Sequence, residues 1–200
     1  RSTPTGRNAV ISTAPSTSPR RDHLLGACYA YVVDRGLNGL SLRPLAAATG
    51  TSPRVLLYLF GSKEGLVREL LARARREQQS LVAGALATDG VPEHDDFDLL
   101  VSRLWATLSA PEQRPMVRLT YEAFLQSLSH EPGPWTGFAA ETARDWLDLL
   151  IAAQPSTPRR LAEARATRQL ALVRGLLLDL LACDDPDRVA SAAPTNPQHG

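Results

Sequence analysis

The residues of this chain best placed to do chemistry are suited to contact, not to catalysis. Ser41, Arg43, Ser52, Pro53, Arg54, Val55, Tyr58 and Lys63 fall in one short stretch. Hydroxyls, guanidinium groups and an ammonium are the groups that hold phosphate oxygens, and an arginine near a helix N-terminus can grip O6 and N7 of guanine. Ser41 and Arg43 open one candidate helix, where free amides and a guanidinium can hold backbone phosphate. Ser52, Arg54, Val55 and Tyr58 share the outward face of the next, with Pro53 in its first turn. Plainer roles stand beside these: Ser41 and Ser52 as caps, Val55 as packing, Tyr58 as surface. The reagents of an enzyme are missing. There is no nucleophile elbow, no HExxH or ExxH and no paired CxxC. His23, His94, His130 and His199 are scattered. No catalytic residue, no cofactor and no metal site is therefore expected. Glu93, His94, Asp95, Asp96 and Asp98 lack the spacing of a ligand set and suit the start of a helix, whose dipole they complement. Cys28 and Cys183 are too few for a disulfide framework, and Cys28 reads as a small buried hydrophobe.

The elements that must position the contact residues follow from punctuation. Ser41 and Ser52 stand where N-caps belong, Gly50 where a helix must stop, and Pro53 where proline's missing N–H costs nothing. Two short amphipathic helices around Thr49-Gly50-Thr51, the second running from Pro53 to Leu59, have the layout of a helix-turn-helix whose second helix reads DNA. A preceding helix is expected from Pro19, with Ser18 as cap, to a stop at Gly36. Its buried stripe is Leu24, Cys28, Tyr31 and Val32. A long helix should run from Ser62 to about Ala87.

At these residues the chain resembles the tetracycline-repressor (TetR) type of transcriptional regulators. The resemblance rests on Ser41, Ala46-Ala47-Ala48, Gly50, Ser52, Leu56-Leu57-Tyr58-Leu59-Phe60 and Ser62-Lys63-Glu64-Gly65-Leu66, and spans about residues 20 to 87. Leu57 and Leu59 replace aromatics common in the family, and Arg54 replaces a common glycine. These departures fall at readout positions and bear on the operator, not the fold. The resemblance implies that Lys63 clamps phosphate and that a small apolar effector releases DNA.

Charge agrees with this division. Residues 1–80 hold 12 of the 22 basic and 5 of the 21 acidic residues, net +7, which leaves −6 for residues 81–200. A basic part joined to an acidic one fits one segment meeting a polyanion. Residues 1–17 and 184–200 read as polar tails and 88–96 as a loop. No apolar run reaches the roughly 18 residues of a membrane span, and the N-terminus lacks a signal-peptide core, so a cytoplasmic protein is expected.

Beyond the loop, helices are expected over 97–108, from a Ser109–Glu112 capping box to about Leu128 with a kink or restart at Pro115, over 135–153, and from Pro158 to about Cys183. Residues 170 to 181 are apolar nearly all round, which calls for cover on two sides, and a second copy of the chain is the expected cover. Trp105, Met116, Tyr121, Phe124, Trp135, Phe138 and Trp146 supply either an apolar pocket or ordinary core. The whole reads as an all-α protein: an N-terminal helix-turn-helix DNA-binding domain over 18–66, a connecting helix over 67–87, and a C-terminal effector-binding and dimerisation domain over 88–183. Its expected partners are a palindromic double-stranded operator, a second copy and a small-molecule effector. The competing reading is a helical interaction module, or a regulator without small-molecule induction.

Overall fold

The computed structural model describes residues 19–87, 97–129, 131–183 and 185–194. The N-terminal tail and the acidic loop of the sequence reading lie outside these residues. All regular structure among them is helical: α1 (Pro19–Arg35), α2 (Leu42–Ala48), α3 (Pro53–Phe60), α4 (Lys63–Ala87), α5 (Phe97–Ser109), α6 (Arg114–Ser127), α7 (Phe138–Ala152), α8 (Arg159–Ala182) and α9 (Pro186–Ser191), with a 3₁₀ turn at Pro111–Gln113. No described helix is long and apolar enough to cross a membrane.

Two hydrophobic clusters organise the molecule. The first joins α1 to α4 around Cys28, Val32, Leu45, Leu56, Leu66 and Leu70. It is closed from outside the helix-turn-helix by Leu119 and Ala123 of α6 and by Phe138 of α7. The second lies among α5, α6, α7 and α8 around Phe97, Val101, Leu104, Leu150, Val173 and Leu177. Polar ties reinforce the seam. Arg118 of α6 donates to the carbonyls of Val33 (3.3 Å) and Asp34 (2.8 Å), and the Glu122 carboxylate accepts from the Leu37 amide at 2.7 Å. Hydrogen bonds to a charged group contribute more than neutral ones, about 1.5–3 kcal/mol each.

Four expectations need correction. The helix expected from Trp135 begins at Phe138; Trp135 lies in the preceding turn, held by Thr136, whose hydroxyl accepts from the Gly133 amide at 2.9 Å. The Ser109–Glu112 capping box does not form, because Ser109 ends α5 and Ala110 precedes the 3₁₀ turn; Pro115 then sits in the first turn of α6, where the helix restarts. Leu125 and Leu128, assigned to a largely buried helix, are exposed at 64% and 61% because α6 packs through its opposite side. The C-terminal tail contains α9. Asp185 caps it by accepting from the Arg188 amide at 3.0 Å, and Val189 is fully buried in the second cluster. One apolar residue among polar ones leaves no periodicity to read.

Candidate nucleic-acid interface and effector cavity

The helix-turn-helix is built by its turn. Thr51 N–H donates to Ala46 O (2.9 Å) and Gly50 N–H to Ala47 O (3.3 Å), a Schellman pair that needs the left-handed φ of 65° at Gly50. Thr49 Oγ1 also donates to Leu45 O at 2.9 Å. Ser52 caps α3 by accepting from the Val55 amide at 3.3 Å, whereas Ser41 makes no side-chain cap bond and is exposed. Leu56 and Phe60 face the core, so the opposite side of α3 is left to solvent. There Arg54 is exposed and Tyr58 is 86% exposed; Val55 and Pro53 are half-buried. Arg43 on α2 and Lys63 at the start of α4 are exposed as well.

The corner between α3 and α4 is tight. Ser62 Oγ caps α4 by accepting from the Gly65 amide at 2.9 Å. A Cβ at Gly65 would stand 2.3 Å from the Phe60 carbonyl oxygen, so the position has room for hydrogen only. The Glu64 carboxyl is held below the ordinary carboxylate range by its own backbone amide first, then by the Ser62 hydroxyl, with Lys63 adding to both. From α1, Arg21 binds Glu69, donates to Leu59 O (3.4 Å) and lies 5.0 Å over the Phe60 ring. Burial is also the main reason the Cys28 thiol is pushed up, so it stays protonated and inert.

The second cluster is not solid. A cavity of about 70 Å³ lies among α4, α5, α6, α7 and α8. It is a narrow slot. Tyr121, Phe124 and Trp146 of the expected pocket residues line it. Trp105 and Met116 are buried in the same cluster without lining the slot. Trp135 and Phe138 belong to the other cluster, on the helix-turn-helix side. Aromatic content alone does not say which of two adjoining cores a residue enters.

The rest of the lining was not singled out by the sequence pattern. Gln78 of α4, Thr142 of α7, and Gln169 and Arg174 of α8 supply polar atoms, and Leu104, Leu170 and Leu177 much of the apolar wall. Arg174 carried a signal: it interrupts an apolar run and lies one turn from Leu170 and Leu177, on the side of α8 that is buried. Tyr121 Oη donates to Arg174 O at 2.5 Å, and burial pushes the Tyr121 phenol up to about 12, against the opposing charge of Arg174. Beside the slot a wider hollow shares the wall of Gln78, Thr142 and Trp146, and Arg75 spans its rim to Asp145 at 2.7 Å and to Glu141. Among the described residues no cluster of acidic, histidine or cysteine side chains could hold a metal, and Asp98 instead faces Arg165 at 3.6 Å.

Residues 25–70 match the family model for bacterial regulatory proteins of the tetR family. The chain carries a TetR-family DNA-binding domain. The fold extends the likeness to the TetR-type regulators over most of the chain. A TetR-family transcriptional regulator from Cytophaga hutchinsonii superposes with a TM-score of 0.71 at 15% identity, covering 90% of this chain and 92% of that one. A transcriptional regulator from Saccharomonospora viridis, solved in complex with choline, gives 0.69 at 20% identity over 86% and 91%. The multidrug binding protein EbrR, solved with imidazole, gives 0.62 at 25% identity over 90% and 94%. No curated protein sequence matches the chain.

Proposed function

We propose that this DNA-binding regulator is a homodimeric repressor in the cytoplasm that holds a palindromic operator and releases it when a small effector enters the α4–α8 slot. The observation that carries the reading is the solvent face of α3. Its buried residues leave Arg54 and Tyr58 outward, and exposed Arg43 and Lys63 flank them on α2 and α4. Arg54 is assigned a base contact, and Ser41, Arg43, Ser52 and Lys63 phosphate contacts, with Pro53 and Val55 shaping the approach of the helix. The protein is a binder rather than an enzyme.

A second copy is supported by what one chain leaves open. Ala140, Ala143, Leu147 and Ile151 of α7 line a surface groove with Glu163 and Thr167 of α8. Further along α8, Gly175 has nothing within 4 Å of where a Cβ would stand, and Leu178 is 50% exposed. Two such faces joined by a two-fold axis make a four-helix bundle and pair two recognition helices for successive major grooves.

Control runs through α4, which carries Lys63 at one end and Gln78 in the slot. An effector weakens DNA binding only by its preference for one tilt of α4 over another; a coupling of about 1–3 kcal/mol changes affinity roughly 5–150-fold. The deciding test is a gel shift with DNA flanking the protein's own gene at two salt concentrations. Tight, salt-sensitive binding to one palindrome is expected. Binding no stronger than to random DNA would reduce the helix-turn-helix to packing.

A further inference from the structure

The chemical class of the effector can be read from Arg174, on the premise that the slot is the effector site. The guanidinium of Arg174 reaches the slot from α8 and lies 5.1 Å over the Phe124 ring. Its Nη2 is sealed from solvent and has no hydrogen-bond partner. Arginine stays charged in proteins and its donors call for an acceptor, so a sealed guanidinium N–H without a partner is costly. Burial pulls its proton affinity below the ordinary range, and Tyr121 only partly offsets this.

Four carboxylates of this half of the molecule are engaged elsewhere. Asp145 holds Arg75 (2.7 Å), Asp98 faces Arg165 (3.6 Å), Asp179 holds Arg188 (2.9 Å) and Glu163 holds Arg159 (2.7 Å). Among the described residues none pairs with Arg174. Two further slot atoms, Thr142 Oγ1 and Gln169 Oε1, are also buried without partners. Three unsatisfied polar atoms in one apolar slot mark the outline of an absent polar group.

We propose that the effector is a small organic carboxylate on a slender apolar body, its head group paired with Arg174. The planar fork of a guanidinium matches a carboxylate, and a desolvated pair of this kind is stronger than either group's bonds to water in the open. Thr142 and Gln169 select a hydroxyl or N–H near the head group. Val101, Leu104, Leu108 and Leu177 hold the body, and the narrowness of the slot favours a flat ring or a single chain. The same arginine repels a quaternary ammonium such as choline, because it already covers the Phe124 ring that a cation would use.

The test titrates the full chain with matched acids and alcohols, reading tryptophan fluorescence and melting temperature. Benzoate, 4-phenylbutyrate and octanoate are each compared with their primary alcohols, with choline as the cationic probe. The acids should bind at least roughly tenfold more tightly than the alcohols, the range of a charge-assisted hydrogen bond. Arg174→Met should abolish the preference for acid over its matched alcohol, and Arg174→Lys should keep part of the preference. Circular dichroism of both variants confirms that they fold. If alcohols or choline bind wild type as tightly as acids, or Arg174→Met keeps the acid preference, the anion assignment fails and the effector slot stands. If nothing in the panel binds, the slot itself is not an effector site and both readings fall.

Discussion

The core around Leu66 and the core around Leu177 use the same side chains but close differently. The first packs closely around Leu45, Leu56 and Leu66, with α6 and α7 lending Leu119, Ala123 and Phe138 to cover it. The second surrounds a slot and leaves Thr142, Gln169 and Arg174 unpaired in it. A domain that must present Arg54 at a fixed place gains from dense packing, since interiors at crystal-like density transmit displacement instead of absorbing it. A domain that must admit a ligand gives up some of that density. Three of the buried unpaired polar atoms lie beside the slot, while Arg73 Nε and Trp135 Nε1 are unpaired on the helix-turn-helix side.

The largest effects test packing. Leu66→Ala should cost about 2–5 kcal/mol by chemical denaturation, because a sealed site cannot collapse onto the lost volume. Leu177→Ala, whose side chain already borders empty space, should cost about 2 kcal/mol, since fewer contacts are lost. Equal losses would erase the distinction between the two cores.

Leu177 is also the wrong place to test dimerisation. It points into its own chain, so a charge there attacks the fold rather than an interface. Leu178, half exposed one residue on, separates the two effects. Leu178→Asp should sediment as a monomer at micromolar concentration with its helix content intact, against a dimeric wild type. A wild-type monomer would leave the outer face of α7 and α8 without its assigned partner.

On the DNA side the expected losses are smaller and differ in kind. Arg54→Ala should cost about 1–3 kcal/mol at the operator and relax preference at one base position. Lys63→Ala should weaken every sequence alike and reduce the salt slope by about 1. Binding assays across a set of single-base operator variants distinguish the two, and an unchanged base preference in Arg54→Ala would remove its readout role.

The smallest effect lies at the slot. With its phenol raised from 10.0 to about 12, Tyr121 favours the folded state in full below the ordinary value, and that contribution falls as pH rises towards about 12. Phenolate absorbance should therefore show a component titrating near 12 that Tyr121→Phe removes. Loss of a component near 10 in Tyr121→Phe, instead of one near 12, would mean that the Tyr121 hydroxyl is open to water.

Legibility followed the same divide. The helix-turn-helix was readable because its residues act locally. Gly50 is needed by its own φ, Ser52 caps its own helix, and Leu56 and Phe60 repeat at helical spacing. The long helices were readable in number and period. What they meet was not. Trp135 and Phe138 enter the first core and Trp146 the second, although all three looked alike as apolar punctuation of one helix. Seven aromatic and apolar residues were assigned to a pocket, and Tyr121, Phe124 and Trp146 reach the slot. Its polar members come from four different helices, and only tertiary packing brings them together.

Gly65 has a further consequence. With the Phe60 carbonyl where its Cβ would go, the corner joining α3 to α4 behaves as a fused elbow with no slack in it. Arg21 braces the same corner from α1 through Glu69 and the Phe60 ring. Under the proposed control, a rotation begun at Gln78 would pass through this corner to Arg54. In the proposed dimer, two such elbows on one two-fold axis would swing in opposite senses, so a small turn in each chain would double in the span between the reading heads. The corner closes this tightly because Gly65, like Gly61 before it, has no side chain at all.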